Sequence, residues 1–150
     1  MTREALDQLA AEFLSGSLPR DQWNHVAHLA VGAWHVDRFG ADEALVRLRA
    51  GIRALNERHG TLNPPTGGYH ETITVAYARL IGEFLSAFEP STPLERRVSH
   101  LVTGPLSARA LLLKFWSREL LMSEAARAAW VAPDLEPLAV PPEALPLPQP

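Results

Sequence analysis

Apolar residues recur three and four positions apart through almost the whole chain, and no stretch alternates apolar and polar residues between turn signals as a half-buried strand would. This periodicity predicts an all-α protein: a single-domain helical bundle of about four longer helices, with shorter helices after them. Glycine and proline supply the punctuation. A first helix is expected from about Arg3 to Leu14, ending at Ser15-Gly16-Ser17, and Pro19 suits the start of a second, roughly Arg20 to Phe39, stopped by Gly40. That second helix is apolar nearly all round, as a central helix must be. The third, about Ala41 to Arg58, carries Leu45, Leu48, Ile52 and Leu55 on one stripe, and Gly60 follows as a C-terminal signal. Pro64-Pro65 and Gly67-Gly68 make Thr61–Gly68 a loop. A fourth helix is expected from about Tyr69 to Phe88, then shorter pieces over Leu94–Leu101, Ser107–Trp116 and Ser123–Trp130, with Ser107 and Ser123 as N-caps. Seven of the 13 prolines fall in the last 19 residues. The chain therefore divides into a bundle over 1–131 and an extended tail over 132–150, pinned by Trp130 and Leu135 and loose at its end.

With 150 residues and 47% hydrophobic content, one such domain can bury a core without staples. There is no cysteine, so disulfides, thiolate metal sites and cysteine nucleophiles are excluded, and any metal must be held by nitrogen and oxygen. The 14 basic and 17 acidic residues are scattered, leaving a net charge of −3 and no basic stripe, which argues against a nucleic-acid partner. A charged N-terminal segment, Met1–Asp7, and the lack of any run of 18 apolar residues argue against a membrane partner and predict a cytoplasmic protein.

The chemistry is concentrated in histidines. His25 and His28 stand one helical turn apart in Trp23-Asn24-His25-Val26-Ala27-His28-Leu29. His70, in Gly68-Tyr69-His70-Glu71-Thr72-Ile73-Thr74, falls at the centre of the apolar arc that also holds Ile73, Thr74, Tyr77, Ile81 and Phe84, where an imidazole needs a hydrogen bond or a metal to offset its desolvation. Gly32, on the His25 and His28 face, opens room beside the rings. If the two helices face each other, His25, His28 and His70 form a three-imidazole site for a divalent transition metal such as Zn, Fe, Mn or Ni, with Glu71 as fourth ligand or base. Glu71 and Tyr69 are then the candidate catalytic residues, and bound water acidified by the metal would serve hydrolase or oxidoreductase chemistry. Two other readings stay open. The same residues could form a metal-free pocket in which His70 or His25, oriented by Glu71, is a general base and Tyr69, Thr72 or Thr74 positions a small molecule. Or the histidines are structural, in a protein that works through an interface, a homodimer included. Position 74 is threonine, so His-Glu-x-x-His is absent and a zincin protease is excluded. His35 reads as a core or rim histidine, His59 as a last-turn residue that complements the helix dipole, His100 as solvated, and Lys114 with Arg118 as a solvent-facing basic pair.

The Trp-x-His-x-x-His-Leu helix, the arginine-rich helix after it and the Gly-Tyr-His-Glu-Thr-Ile-Thr segment together resemble a group of uncharacterised small bacterial all-α proteins. The likeness runs from about Phe13 to Leu138 and takes in Trp116-Ser117-Arg118-Glu119-Leu120 and Val131-Ala132-Pro133-Asp134-Leu135. It marks residues without implying an activity.

Overall fold

The computed structural model describes residues 1–147. Among these there are seven α-helices and no strand: α1 (Arg3–Ser15), α2 (His25–Phe39), α3 (Ala41–Arg58), α4 (Glu71–Ser86), α5 (Leu94–Thr103), α6 (Arg118–Leu121) and α7 (Glu124–Ala128). Short 3₁₀ turns occupy Arg20–Gln22, Pro105–Ser107, Leu111–Lys114 and Pro142–Ala144. The single-domain all-α bundle expected from the periodicity is what forms.

Capping sets the helix starts. Thr2 accepts a hydrogen bond from Ala5 N–H at the head of α1, and Gly16, at φ +77°, closes it. At α2 the extended backbone of Asn24 and its side chain, which accepts from Ala27 N–H, make a better N-cap than anything near Arg20. The helix expected from Arg20 therefore begins at His25, with the 3₁₀ turn ahead of it. Gly40, also at φ +77°, is the whole connection between α2 and α3.

Helix α2 buries residues on every side, from Ala27 and Leu29 through Val31, Ala33 and His35 to Val36, and packs against α1, α3, α4 and α5. Around it lie Leu6 and Phe13 of α1, Leu48 and Leu55 of α3, Leu80 and Phe84 of α4, and Val98 and Leu101 of α5. Each such leucine or phenylalanine withdrawn from water contributes about 1.5–3 kcal/mol before its ordering cost. Gly51 lets α3 close on α1, since a Cβ there would stand 2.5 Å from the Phe13 ring.

The sequence beyond α5 behaves differently from expectation. Ser107 caps nothing: its hydroxyl donates back to Gly104 O, Ala108 is extended, and Ser107–Trp116 is two 3₁₀ turns rather than one helix. Ser123 does cap α7, and Ser117 caps α6. The tail is extended over most of its described length and lies against the body. Trp116 Nε1 donates to Val131 O at 3.0 Å and its ring meets Trp130 edge-on. Leu135 holds through its backbone, N–H to Phe115 O at 2.9 Å, while its side chain is exposed. Val140 is the buried apolar anchor. The tail's last residues, 148–150, lie outside the described part.

Candidate functional site

Because Asn24 caps α2, His25 and His28 occupy its first turn and project beside the start of α4. His28 Nδ1 donates to Asn24 O at 2.8 Å, which fixes the proton on that nitrogen and leaves Nε2 as a lone pair without a protein partner among the described residues. The ring is stacked on Trp23, with centroids 3.7 Å apart. One edge is open to solvent, yet protein crowds the ring enough that desolvation, aided by His25 and opposed by the Asn24 carbonyl, holds its pKa below the ordinary histidine value. His25 meets Tyr77 edge-on at 6.0 Å. Its Nε2 is closed off from water with no partner, and burial, reinforced by the charge of Arg109 and opposed by the Ser107 backbone, lowers its pKa as well. Both rings are neutral at pH 7.

Between α2, α3 and α4 these rings border an open cavity of about 440 Å³. Its walls are Leu29, Leu48, Ile52, Ile73, Ala78 and Ile81. Gly32 lies at its inner end, where a Cβ would approach Ile81 Cδ1 to 2.9 Å, so the room anticipated beside this glycine is occupied by Ile81 on one side. Asn24, Thr74, Tyr77 and Arg109 supply the remaining polar groups. Thr74 is committed, its hydroxyl donating to His70 O. Tyr77 is free: its hydroxyl has no hydrogen bond among the described residues, and burial pushes its pKa up to about 12, so it stays a donor.

His70 is not in this cavity. It is the N-cap of α4 rather than a residue inside the helix: Nδ1 accepts from Ile73 N–H at 3.2 Å and Nε2 donates to Leu121 O at 2.7 Å. Both nitrogens are spent on backbone groups, the ring is 7% exposed, and no lone pair remains for a metal or a proton. Glu71 is likewise engaged. Arg49 grips it with two bonds, Nε to Oε1 at 2.9 Å and Nη2 to Oε2 at 2.6 Å, and Tyr69 donates its hydroxyl to Oε1. The arginine, and then the tyrosine, hold the Glu71 carboxyl below its usual range, whereas burial and the neighbouring carboxylate push Tyr69 up to about 12. Thr72 donates to Ala129 O and accepts from Val131 N–H, and Arg127 donates to Gly68 O. The Gly-Tyr-His-Glu-Thr segment thus fastens α4 to α3 and to the C-terminal region.

The four-ligand set expected from the sequence is consequently not assembled. His25 and His28 share a cavity; His70 and Glu71 belong to a separate, hydrogen-bonded cluster. Among the described residues no three histidine, aspartate or glutamate side chains are placed to hold one ion. A divalent metal in the cavity would meet two imidazoles and no carboxylate. Tyr77 and Arg109 were not singled out as site residues; the signal for Tyr77 was its place on the same arc as His70, and Arg109 sits in a segment expected to be helical.

His35 is wholly buried among Phe13, Trp34 and Phe39, with Nδ1 donating to Val31 O and Nε2 lacking a partner. Burial, then the charge of Arg47, lowers its pKa from the ordinary 6.5 despite the Val31 carbonyl. The unfolded chain therefore takes up this proton first as pH falls. Stability is fully present above about pH 6.5 and is lost as pH drops toward the depressed folded value, with His25, His28 and His70 adding in the same direction. Urea denaturation from about pH 7.5 to pH 5 should show this decline, shallower in His35→Leu; equal stability across that range contradicts it. His59, the C-cap of α3, donates from Nε2 to Leu18 O, and His100 lies beside Phe88.

No family model matches this chain, and neither a curated protein nor a solved structure does. Among the described residues no helix is long and apolar enough to cross a membrane.

Proposed function

We propose that the chain binds a small, largely apolar organic molecule between α2, α3 and α4, and that His28 is the group poised for proton transfer to it. The observation that carries this reading is the cavity of about 440 Å³, with apolar walls and a few polar groups, the Tyr77 hydroxyl and His28 Nε2 among them, whose hydrogen-bonding capacity the described residues leave unused. Sites for small molecules have this composition: apolar surface for affinity and a few polar groups for orientation. His28 also meets the requirements of a general base, being neutral at pH 7, held in one tautomer by Asn24 O, and open on its other nitrogen. The role sketched from the sequence for His70 or His25 with Glu71 passes to His28 with Asn24.

Titration with N-phenylnaphthylamine, a neutral fluorophore that brightens in apolar surroundings, tests the reading. Saturable one-to-one binding is expected, reduced at least tenfold in Ile52→Trp, which enlarges a partly buried side chain of the cavity wall. Circular dichroism of the variant checks its fold. Absence of saturable binding by the natural chain, or undiminished binding by a folded Ile52→Trp variant, overturns the reading.

A further inference from the structure

The cavity is polar at one end and apolar at the other. His25 faces Tyr77 while Gly32, two turns further along α2, faces Ile81, so α2 and α4 run together from a polar mouth to an apolar floor. Arg109 stands at the polar end, near enough to His25 to disfavour a proton there. Among the described residues it is the one charged side chain lining the cavity, and no carboxylate accompanies it. Several other arginines are occupied, Arg49 by Glu71, Arg53 by the face of Tyr69, Arg97 by carbonyls of Leu85, Pro90 and Thr92, Arg127 by Gly68, and those without such a partner among the described residues, Arg20, Arg58, Arg96 and Arg118, do not line the cavity. Arg109 has neither ion pair nor hydrogen bond among the described residues and is exposed. The N-terminus of α2, at the same end, adds positive potential.

Resting on the ligand-cavity reading above, we infer that the occupant is an apolar monocarboxylate, its head paired with Arg109 and its tail directed toward Gly32 and Ile81. A guanidinium matches a carboxylate with two parallel donors, and the Tyr77 hydroxyl supplies a third. A dicarboxylate or phosphorylated ligand would bring a second charge to a mouth with one cation. An ammonium head would meet Arg109 with like charge.

Octanoate, 1-octanol and octylammonium share a tail and differ in the head, and each is to be competed against bound N-phenylnaphthylamine on the full chain. Octanoate is expected to displace the probe best and octylammonium least. Arg109→Gln should weaken octanoate roughly threefold to tenfold, as suits an ion pair at an open rim, and leave 1-octanol unchanged; Arg109→Lys should fall between. Added salt should erode the advantage of octanoate alone. Equal affinities for octanoate and 1-octanol, or an Arg109→Gln variant that binds both as before, overturn the carboxylate assignment while leaving the cavity reading in place. If the probe itself finds no site, the cavity reading fails and the assignment fails with it.

Discussion

Trp116→Ala is expected to cost the fold about 3–5 kcal/mol, the largest effect of any single truncation proposed for this protein. Trp116 is 0% exposed, and it links two parts of the molecule that the helices alone do not join. Its ring packs edge-on against Trp130, with centroids 5.5 Å apart, and Nε1 donates to Val131 O at 3.0 Å. Truncation removes the buried area, opens a cavity beneath the C-terminal segment and leaves the Val131 carbonyl without its donor. Set against a total of about 5–15 kcal/mol for a domain of this size, the loss should lower the melting temperature by roughly 10 °C. Trp116→Phe, which keeps much of the area and loses the hydrogen bond, should recover more than half of it. Urea denaturation measures both, and a loss in Trp116→Ala below about 1 kcal/mol would mean the C-terminal segment is not held as described.

His70→Ala is expected to cost about 2–4 kcal/mol, for a different reason. Ile73 N–H and Leu121 O each have His70 as a hydrogen-bond partner, and both lose it at once, in a place where the ring is nearly sealed from water. His70→Asn restores the cap through its own side-chain oxygen and should recover about 1 kcal/mol. Neither variant should change the affinity of the cavity for N-phenylnaphthylamine in protein that remains folded. A ligand-binding or catalytic His70 makes the opposite prediction, of a fold nearly as stable as before and binding abolished. The pair of measurements, thermal denaturation and probe titration, therefore separates architecture from function at this residue.

How far the sequence disclosed this arrangement depends on how local each feature is. The helices came from periodicity and punctuation, and α3 appears as expected because its stripe, its start after Gly40 and its end before Gly60 are all written within Ala41–Arg58. The centrality of α2 was visible in its all-round apolar character. His25 and His28 were legible as a pair, since one turn of helix fixes their relation. The apolar arc correctly marked His70 as buried, but no wheel reveals which neighbour covers a face: the ring is covered by Leu121, 51 positions away, and not by α2. Glu71 was similarly unreadable, because Arg49 lies 22 positions earlier on α3, outside that helix's apolar stripe. At Asn24 and His70 a competing cap moved the start of a helix by a few residues, and for His70 that displacement changed its role. Arg109 was missed because Ser107–Trp116 has a helix-like composition and yet breaks at Ala108, where the backbone turns extended.

The central claim is that the His25 and His28 cavity, rather than the His70 and Glu71 cluster, receives a ligand. Amide and methyl NMR shifts of the isotope-labelled chain, followed while octanoate is added, locate the ligand directly. The account predicts saturable changes at Leu29, Gly32, Ile52, Ile73 and Ile81, with Glu71, Thr72 and Leu121 unmoved. Changes centred on Tyr69, His70 and Leu121, or spread over the surface without saturation, would contradict it.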